Sequence, residues 1–383
     1  MANEFREITT TSWVKRIGSA FTGVILGIAL FIGAFPVIFW NEGRSVERIR
    51  TLDEGRGLVH AISSDKVDPA NEGRLVHFSG IATTRDILQD AIFGVQENAL
   101  KLRRNVEMFQ WEEKKSSRSS TNLGGSETRE TTYTYEKIWS DKLINSSSFK
   151  QRDTHKNPAS MPYRTETYTA STITLGGFTL SAPYIGQIEH YESYALSQRN
   201  HDAMENRFKK SFTLNGNEYF YGDPENPAIG ALRITYDIIS PTTVSVVGKQ
   251  TGSAIQPYYT KNGAIQLLAM GMVGAETMFA SAENENTLIT WLVRAGACFM
   301  IWLGLIMVLR PIAVLGDVVP FIGSLLGVGV GLIATLSSLV LGFCAIAIAW
   351  IVYRPLIGGL LLVVAAVVFL GGVKMIRQRL QRV

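Results

Sequence analysis

Two things are scarce in this chain of 383 residues, namely cysteine and charge. There are two cysteines, too few to form the disulfide framework of a small secreted domain. Charged residues make up 18% of the chain, whereas an ordinary soluble domain has about 25%. A disordered chain is excluded because such chains are poor in apolar residues, and 46% of these residues are hydrophobic. What matters next is where the charge is missing.

Charge is missing from four separate stretches. Each is apolar and 18 to 32 residues long, and Arg294 is the one charged residue in the whole set. The stretches are residues 17–40, 288–309, 321–352 and 356–373. A helix of about 20 apolar residues crosses a bilayer core roughly 30 Å thick. One such stretch would also suit a buried helix of a soluble protein, but four together predict four membrane crossings.

The rest of the chain has an ordinary charge density and resembles a soluble domain attached to these helices. Lys and Arg flank both ends of the chain, as is typical of cytoplasmic segments. Four crossings place both ends on one side, which we expect to be cytoplasmic. The predicted organisation is a cytoplasmic tail at 1–16, a first crossing at 17–40, an exoplasmic domain at 41–287, a three-helix membrane module at 288–373 and a basic cytoplasmic tail at 374–383.

Strand patterns dominate the predicted exoplasmic domain. Apolar and polar residues alternate in several short runs that are separated by Gly, Pro, Asn and Ser. The predicted elements are strands at 75–81, 102–111 and 132–139, a solvated hairpin loop at 112–130, a strand pair at 231–239 and 242–247 around Pro241, and a helix at 183–196. The predicted fold class is α+β, a multi-pass α-helical membrane protein with a large mixed β-rich exoplasmic domain.

The sequence contains no recognised catalytic or metal-binding motif. Its five histidines do not form H-E-x-x-H, and neither a G-x-S-x-G elbow nor a P-loop is present. We therefore expect no catalytic residue, no cofactor and no metal, and hence no enzyme. An exoplasmic hydrolase that uses His155 or His190 stays open as an alternative. Nucleic acid is not an expected partner, because no basic patch with interleaved aromatic residues occurs.

The tetrapeptide Asn-Glu-Gly-Arg occurs twice, at residues 41–44 and 71–74. Asn and Gly tolerate positive φ, so a solvated turn is one interpretation. The other is a Glu–Arg contact that seats the domain where the chain leaves the membrane, or against a neighbouring subunit.

Small residues recur at every fourth position in two of the apolar stretches. They are Ser19, Gly23 and Gly27 in the first stretch and Gly323, Gly327 and Gly331 in the third. This spacing lets membrane helices approach closely, so we expect these residues to pack helices within one chain, between copies, or both. The side chain of Arg294 is expected to snorkel to the membrane interface.

Five segments of the chain resemble the LUMA family of membrane proteins. The residues that carry the resemblance are Asn41, Glu42, Gly43, Arg44, Asn71, Glu72, Gly73 and Arg74 of the tetrapeptides, Arg103, Arg104, Glu107, Gln110 and Trp111 of the block at 101–111, and His155, Asn157, Pro158, Tyr353, Arg354 and Pro355. The similarity runs from residue 41 to the last crossing, and it includes the order of one crossing followed by three.

The resemblance implies a multi-pass membrane protein of a family without established catalytic residues. It implies the inner membrane for a bacterial protein. For a eukaryotic one it implies the endoplasmic reticulum and inner nuclear membrane, with self-association and envelope partners such as emerin and lamins. We therefore expect a non-enzymatic membrane scaffold whose partners are the lipid bilayer, further copies of itself and other membrane or envelope proteins. The alternative is a lipid-handling or ion-conducting membrane protein.

Overall fold

The computed structural model describes residues 4–197, 200, 202, 212–356 and 358–359. Within these residues the helices are α1 Trp13–Leu58, α2 Ala182–Gly186, α3 Ala275–Gly316 and α4 Pro320–Tyr353. The strands are β1 Glu4–Thr11, β2 His60–Ala61, β3 Leu75–Thr83, β4 Leu88–Asp90, β5 Val95–Glu97, β6 Lys101–Thr121, β7 Glu127–Ser140, β8 Glu166–Thr169, β9 Thr174–Leu175, β10 Phe178–Leu180, β11 Glu192–Ser193, β12 Thr213–Asn215, β13 Glu218–Tyr221, β14 Leu232–Ile239, β15 Thr242–Thr251, β16 Ala254–Gln256, β17 Tyr258–Tyr259, β18 Ala264–Ile265 and β19 Leu267–Met270.

Helices α1, α3 and α4 are each long and apolar enough to cross a membrane. They contain the first three predicted crossings, and with the many strands they confirm the α+β fold class, a set of membrane helices joined to a β-rich domain. The fourth predicted crossing, at 356–373, lies outside the described residues beyond its first positions. The predicted tail at 374–383 lies entirely outside them.

Most strands belong to two large sheets. The order of the first is β1-β7-β6-β14-β13-β12, with β8 on β6 and β11 on β14. The order of the second is β19-β15-β16-β10-β9-β3-β2, and β15 also pairs with β3. Because of that extra pairing, β3, β9, β10, β16 and β15 close into a ring. Its pairs are antiparallel except for β10 with β16.

The predicted strands at 75–81, 102–111 and 132–139 are confirmed as parts of β3, β6 and β7. The hairpin predicted at 112–130 is confirmed, but its loop is much shorter than expected, because β6 continues to Thr121 and β7 begins at Glu127. Both faces of this hairpin extension are largely polar and exposed, so no apolar alternation marks it in the sequence. The turn uses Gly124 and Gly125, whose φ angles of +84° and +79° disfavour other residues.

Two element predictions are wrong. The strands on either side of Pro241 do not pair with each other, because β14 pairs with β6 in the first sheet and β15 pairs with β3 in the second. The helix predicted at 183–196 is limited to α2, and Glu192–Ser193 instead forms β11 against β14. In addition, residues 4–11 of the expected tail form strand β1 beside β7. The alternation of apolar and polar residues in this short segment did not predict a strand.

The chain forms two compact units. Unit 1 comprises Met1–Glu7, Glu54–Arg118 and Glu130–Ala280, and unit 2 comprises Ile8–Asp53, Ser119–Arg129 and Ser281–Val383. Unit 1 holds a large apolar core to which both sheets contribute, with Phe78 of β3 against Phe178 of β10 and Val106 of β6 beside Ile234 of β14. This core is what makes the β-rich part a folded domain rather than a set of hairpins.

Unit 2 contains the apolar parts of the three long helices and the tip of the β6–β7 hairpin. Arg16, near the start of α1, donates to Gly125 O at 2.6 Å and to Asp317 Oδ2 at 2.5 Å, and it pairs with Glu127 at 3.3 Å. Hydrogen bonds cannot reach across a bilayer core of about 30 Å, so these residues share one side of a membrane. A cytoplasmic tail at 1–16 and an exoplasmic segment that includes the hairpin tip are therefore not both correct.

A polar helix junction as the candidate functional site

A buried ion pair joins α1 to α3 inside unit 2. The guanidinium of Arg294 donates from Nε to Glu42 Oε1 at 2.6 Å and from Nη2 to Glu42 Oε2 at 2.8 Å. The two side chains are 7% and 0% exposed. The expectation that Arg294 snorkels to the interface is wrong, because a carboxylate on the neighbouring helix neutralises it in place.

Two tryptophans enclose the Glu42–Arg294 pair. Trp350 of α4 donates its indole N–H to Glu42 Oε2 at 2.9 Å. The guanidinium carbon of Arg294 lies 4.6 Å from the ring centre of Trp291 and 5.5 Å from that of Trp350, within the range of cation–π attraction. The pair thus connects all three long helices and has protein partners in place of water.

A second set of polar contacts extends the junction along α1 and α3. Arg44 donates to Asn286 Oδ1 at 2.9 Å and to Thr290 Oγ1 at 3.1 Å. Asn41 Nδ2 donates to the carbonyl of Thr290 at 3.1 Å, and Asn286 Nδ2 donates to the carbonyl of Ser45 at 3.1 Å. Asn286, Thr290 and Arg294 are four residues apart, so they form one polar stripe on α3. Sequence reasoning missed Asn286 and Thr290, although this spacing could have revealed them.

Gly43 lets α4 approach α1 closely. A Cβ atom at this position would lie 3.0 Å from Cζ of Tyr353, which is tighter than ordinary van der Waals contact. The small residue therefore makes room for the tyrosine ring, and Tyr353, Arg354 and Pro355 follow directly beside α1. A cleft of about 620 Å³ opens there, lined by Val46, Ile49, Arg50, Asp53, Tyr353, Arg354, Pro355 and Leu356.

Comparison with known proteins identifies the family. The family model described as Transmembrane protein 43 matches residues 108–355. Transmembrane protein 43 of Homo sapiens is 32% identical over 369 residues, which cover 92% of this chain and 90% of that protein. The chain belongs to the Transmembrane protein 43 family. This is the LUMA family, so the resemblance predicted from the sequence is confirmed.

Relatives from other animals agree with the assignment to the Transmembrane protein 43 family. The Mus musculus protein is 32% identical over 358 residues, covering 90% of this chain and 88% of its own. The Transmembrane protein 43 homolog of Drosophila melanogaster is 28% identical over 355 residues, covering 89% of this chain and 92% of its own. No solved structure matches the chain.

The family motif residues lie in both units. The helix junction brings together Glu42, Gly43 and Tyr353. The first Asn-Glu-Gly-Arg segment lies inside α1, so the turn interpretation is wrong there. Glu42 does contact an arginine, but that arginine is Arg294 of α3 and not one from the tetrapeptides, so a contact that seats the domain stays a prediction. The second segment does turn, since Gly73 has a φ of +74°, and Glu72 Oε2 accepts the N–H of Gly252 at 2.8 Å in unit 1.

The family block at 101–111 lies on β6 in unit 1, and its polar residues are hydrogen-bonded. Arg104 is 2% exposed and donates to Asp90 Oδ2 at 2.5 Å, to Glu166 and to the carbonyl of Arg164. Tyr236 donates its hydroxyl to the same oxygen of Asp90 at 2.7 Å. Burial, and then the charge of Asp90, raise the pKa of Tyr236, so the phenol stays protonated as a donor.

Half-buried members of the block at 101–111 pair across the sheet instead. Arg103 and Glu107 on β6 contact Asp237 and Arg233 on β14, each at 2.6 Å. These contacts fix the register of β6 against β14.

The remaining motif residues of unit 1 close the loop after β7. Asn157 accepts the N–H of Trp111 at 2.7 Å, and Gln110 bonds to the backbone of Lys142 and Ile144. Pro158 follows Asn157 in this loop, at the edge of a surface cleft.

The two histidines of the hydrolase alternative do not form a common site. His155 is 2% exposed and stacks on the ring of Tyr135, with 4.0 Å between ring centres, whereas His190 is exposed. These are the contacts of a packing residue and of a surface residue. Over the described part of the chain, no group of three or more His, Cys, Asp or Glu residues is arranged to hold a metal.

The six small residues predicted to pack helices have different surroundings. A Cβ on Gly27 would lie 2.8 Å from Gly304 O on α3, so the two backbones touch there, and Gly304 is a packing residue that the spacing did not reveal. Gly23 faces only the end of Met307, Gly323 lies against nearby Asp317, and Ser19 is exposed. No atom of the described residues lies within 4 Å of a Cβ added to Gly327 or Gly331.

Proposed function

We propose that this integral membrane protein is a non-enzymatic scaffold that self-associates and presents its β-rich domain at a membrane surface. The observation that carries the proposal is the Glu42–Arg294 pair. Both carboxylate oxygens and two guanidinium nitrogens are used within the pair, and Trp350 adds a third donor, so the junction holds helices together rather than reacting with a substrate.

Self-association through the helices is supported by the open side of α4. Gly327 and Gly331 are one helical turn apart, and Val328 and Leu332 next to them are 70% and 61% exposed. Small residues at this spacing drive helix association in lipid. We propose a second copy of the chain as the partner of this face.

The mass of the detergent-solubilised protein tests the self-association. We expect an oligomer for the wild type and a smaller species for Gly327→Leu, because leucine would block the close approach of a second helix. Gly57→Leu is the matched control, since it lies on α1, where an added Cβ also meets nothing within 4 Å. A wild type that is a monomer, or an oligomer unchanged by Gly327→Leu, would remove self-association from the proposal.

The partners and the compartment are part of the same proposal. We propose the inner membrane if the source is bacterial, and the endoplasmic reticulum and inner nuclear membrane if it is eukaryotic, with other membrane or envelope proteins as partners. Most of residues 41–287 would be exoplasmic. In-situ crosslinking with mass spectrometry tests the partners, and labelling of single cysteines placed at Ser119 and at exposed Lys261 tests the sides.

A second candidate function is lipid handling. The cleft at Arg50 and Arg354 favours it, because the cleft combines apolar and cationic side chains next to the membrane helices. A lipid-transfer assay between vesicles tests this function, and the absence of transfer by the purified protein would exclude it.

A further inference from the structure

We propose that the cleft between α1 and the end of α4 binds the phosphate headgroup of an anionic glycerophospholipid, held between Arg50 and Arg354. The cleft has about 620 Å³ and lies wholly within unit 2. The proposal deepens the lipid-handling candidate, because it names the class of lipid that the same cleft binds, and it is independent of self-association.

The position of the cleft along the helices suits a headgroup. The charge-free run of α1 ends at Trp40, and at a rise of 1.5 Å per residue Val46 lies about 9 Å and Arg50 about 15 Å beyond it. Helical side chains lean toward the N-terminus, so the arginine reaches back toward the membrane. Arg354 directly follows α4, whose residues 321–352 carry no charge. Arg354 is thus near the level where headgroups flank the hydrocarbon, and the side chain of Arg50 extends back toward that level.

The charge in the cleft favours an anion. Among the described residues, neither the Arg50 nor the Arg354 side chain has a hydrogen bond or an ion pair, in contrast to Arg44 and Arg294 deeper in the junction. Asp53 is the one carboxylate among the described residues that line the cleft, and it already takes part in another interaction. Arginine matches phosphate with its planar fork of N–H donors, so two of them facing one cleft select an oxyanion.

The apolar side of the cleft favours a lipid over a free ion. Val46, Ile49, Pro355 and Leu356 line it, and Leu356 is 91% exposed. A glycerol backbone with the first carbons of its acyl chains would cover this surface, whereas inorganic phosphate would leave it bare. Tyr353 also lines the cleft, and its apolar ring with a polar hydroxyl is typical of aromatic residues at membrane interfaces.

The test is native mass spectrometry of the full chain in detergent, titrated with phosphatidylglycerol, with neutral phosphatidylcholine and with inorganic phosphate in separate arms. We expect the wild type to retain phosphatidylglycerol in preference to phosphatidylcholine. The double variant Arg50→Gln/Arg354→Gln should bind phosphatidylglycerol about tenfold or more weakly, because each arginine near a membrane surface contributes to anionic lipid binding. Arg310→Gln is the matched control, an exposed arginine about 24 Å further along α3 than Arg294.

Each outcome decides the proposal. A wild type without preference for phosphatidylglycerol overturns it, including the case in which residues after 356 fill the cleft. A preference that survives in the double glutamine variant overturns the assignment to these arginines. Binding of inorganic phosphate that displaces phosphatidylglycerol identifies a phosphate site instead of a lipid site. If the glutamine variant fails to fold, Arg50→Lys/Arg354→Lys replaces it, and this variant should keep a weakened preference because the charge remains.

Discussion

Each unit of the molecule contains a buried arginine–carboxylate pair, and the two pairs differ in how they are supported. In unit 1, Arg104 of β6 meets Asp90 at 2.5 Å, and in unit 2, Arg294 of α3 meets Glu42 at 2.6 Å. Both arginines are nearly inaccessible. Arg104 divides its donors among Asp90, Glu166 and a backbone carbonyl, whereas Arg294 gives both of its hydrogen bonds to one carboxylate.

The difference follows from the surroundings. Unit 1 has water nearby, since Glu166 is about half exposed, and loss of one partner leaves Arg104 with others. The Glu42–Arg294 pair lies among apolar helices, where a lone charge is costly and no second charged group neutralises Glu42 among the described residues. We infer that the polar network of the sheet tolerates damage better than the helix junction does.

The largest effect is expected from breaking the helix junction. Arg294→Leu leaves Glu42 buried with the Trp350 indole as its one remaining side-chain donor, and removal of one partner of a buried pair costs about 3–5 kcal/mol. Thermal unfolding in detergent, followed by tryptophan fluorescence, should show a large drop in the midpoint. Arg310→Leu is the control and should leave the midpoint almost unchanged, because that side chain is exposed.

A smaller loss is expected in the sheet. Arg104→Leu leaves Asp90 with the Tyr236 hydroxyl and the Ile92 N–H as donors. We therefore expect a cost of about 3 kcal/mol, at the lower end for a broken buried pair. Tyr236→Phe removes one hydrogen bond to a charged group and should cost about 2 kcal/mol. Equal losses for Arg104→Leu and Arg294→Leu would contradict the contrast between the two units.

Packing of the helices should respond to single methyl groups. Gly27→Ala places a carbon against the backbone of Gly304, and overpacking of this kind costs about 1–3 kcal/mol. Gly327→Ala meets nothing described within 4 Å and serves as the matched control. The unfolding midpoints of the two variants in detergent measure the difference, and a larger loss for Gly327→Ala would reverse the expected order.

The smallest effect concerns a surface loop of unit 1 and depends on pH. Asp86 accepts hydrogen bonds from the Ser171 hydroxyl and from the N–H groups of Ser171 and Thr172, which lower its pKa. Its contribution to stability is therefore present above the ordinary carboxyl pKa of about 4 and is lost as the pH falls through the lowered value. Asp86→Asn should lower the midpoint slightly at neutral pH, and the difference from the wild type should vanish in acid. If the difference in midpoint between Asp86→Asn and the wild type stayed constant across this pH range, the ionised carboxylate would not be the source of the stability.

The sequence predicted the first three apolar helices and the central strands because these follow from local patterns. The charge-free runs are visible residue by residue, and β3, β6 and β7 alternate in burial. The helix junction depends instead on residues about 250 positions apart, such as Glu42 and Arg294, so a count of charge within one stretch shows the arginine but not its partner.

The other wrong or missing predictions also concern features that local sequence patterns do not determine. Pro241 separates two strands that enter different sheets, and nothing local to 231–247 specifies their partners. The extended hairpin at 112–130 is polar on both faces, so its strands depend on backbone pairing that alternation cannot indicate. Arg50 has no motif around it, and the end of α4 is needed to make it part of a cleft.

A double-mutant cycle on Glu42 and Arg294 tests the central claim most directly. The free energy of unfolding would be measured for the wild type, Glu42→Leu, Arg294→Leu and the double variant in the same detergent. We predict that each single variant is strongly destabilised and that the double variant is more stable than either, because it buries no unpaired charge. Additive losses, with the double variant the least stable of the four, would contradict a junction held by this pair.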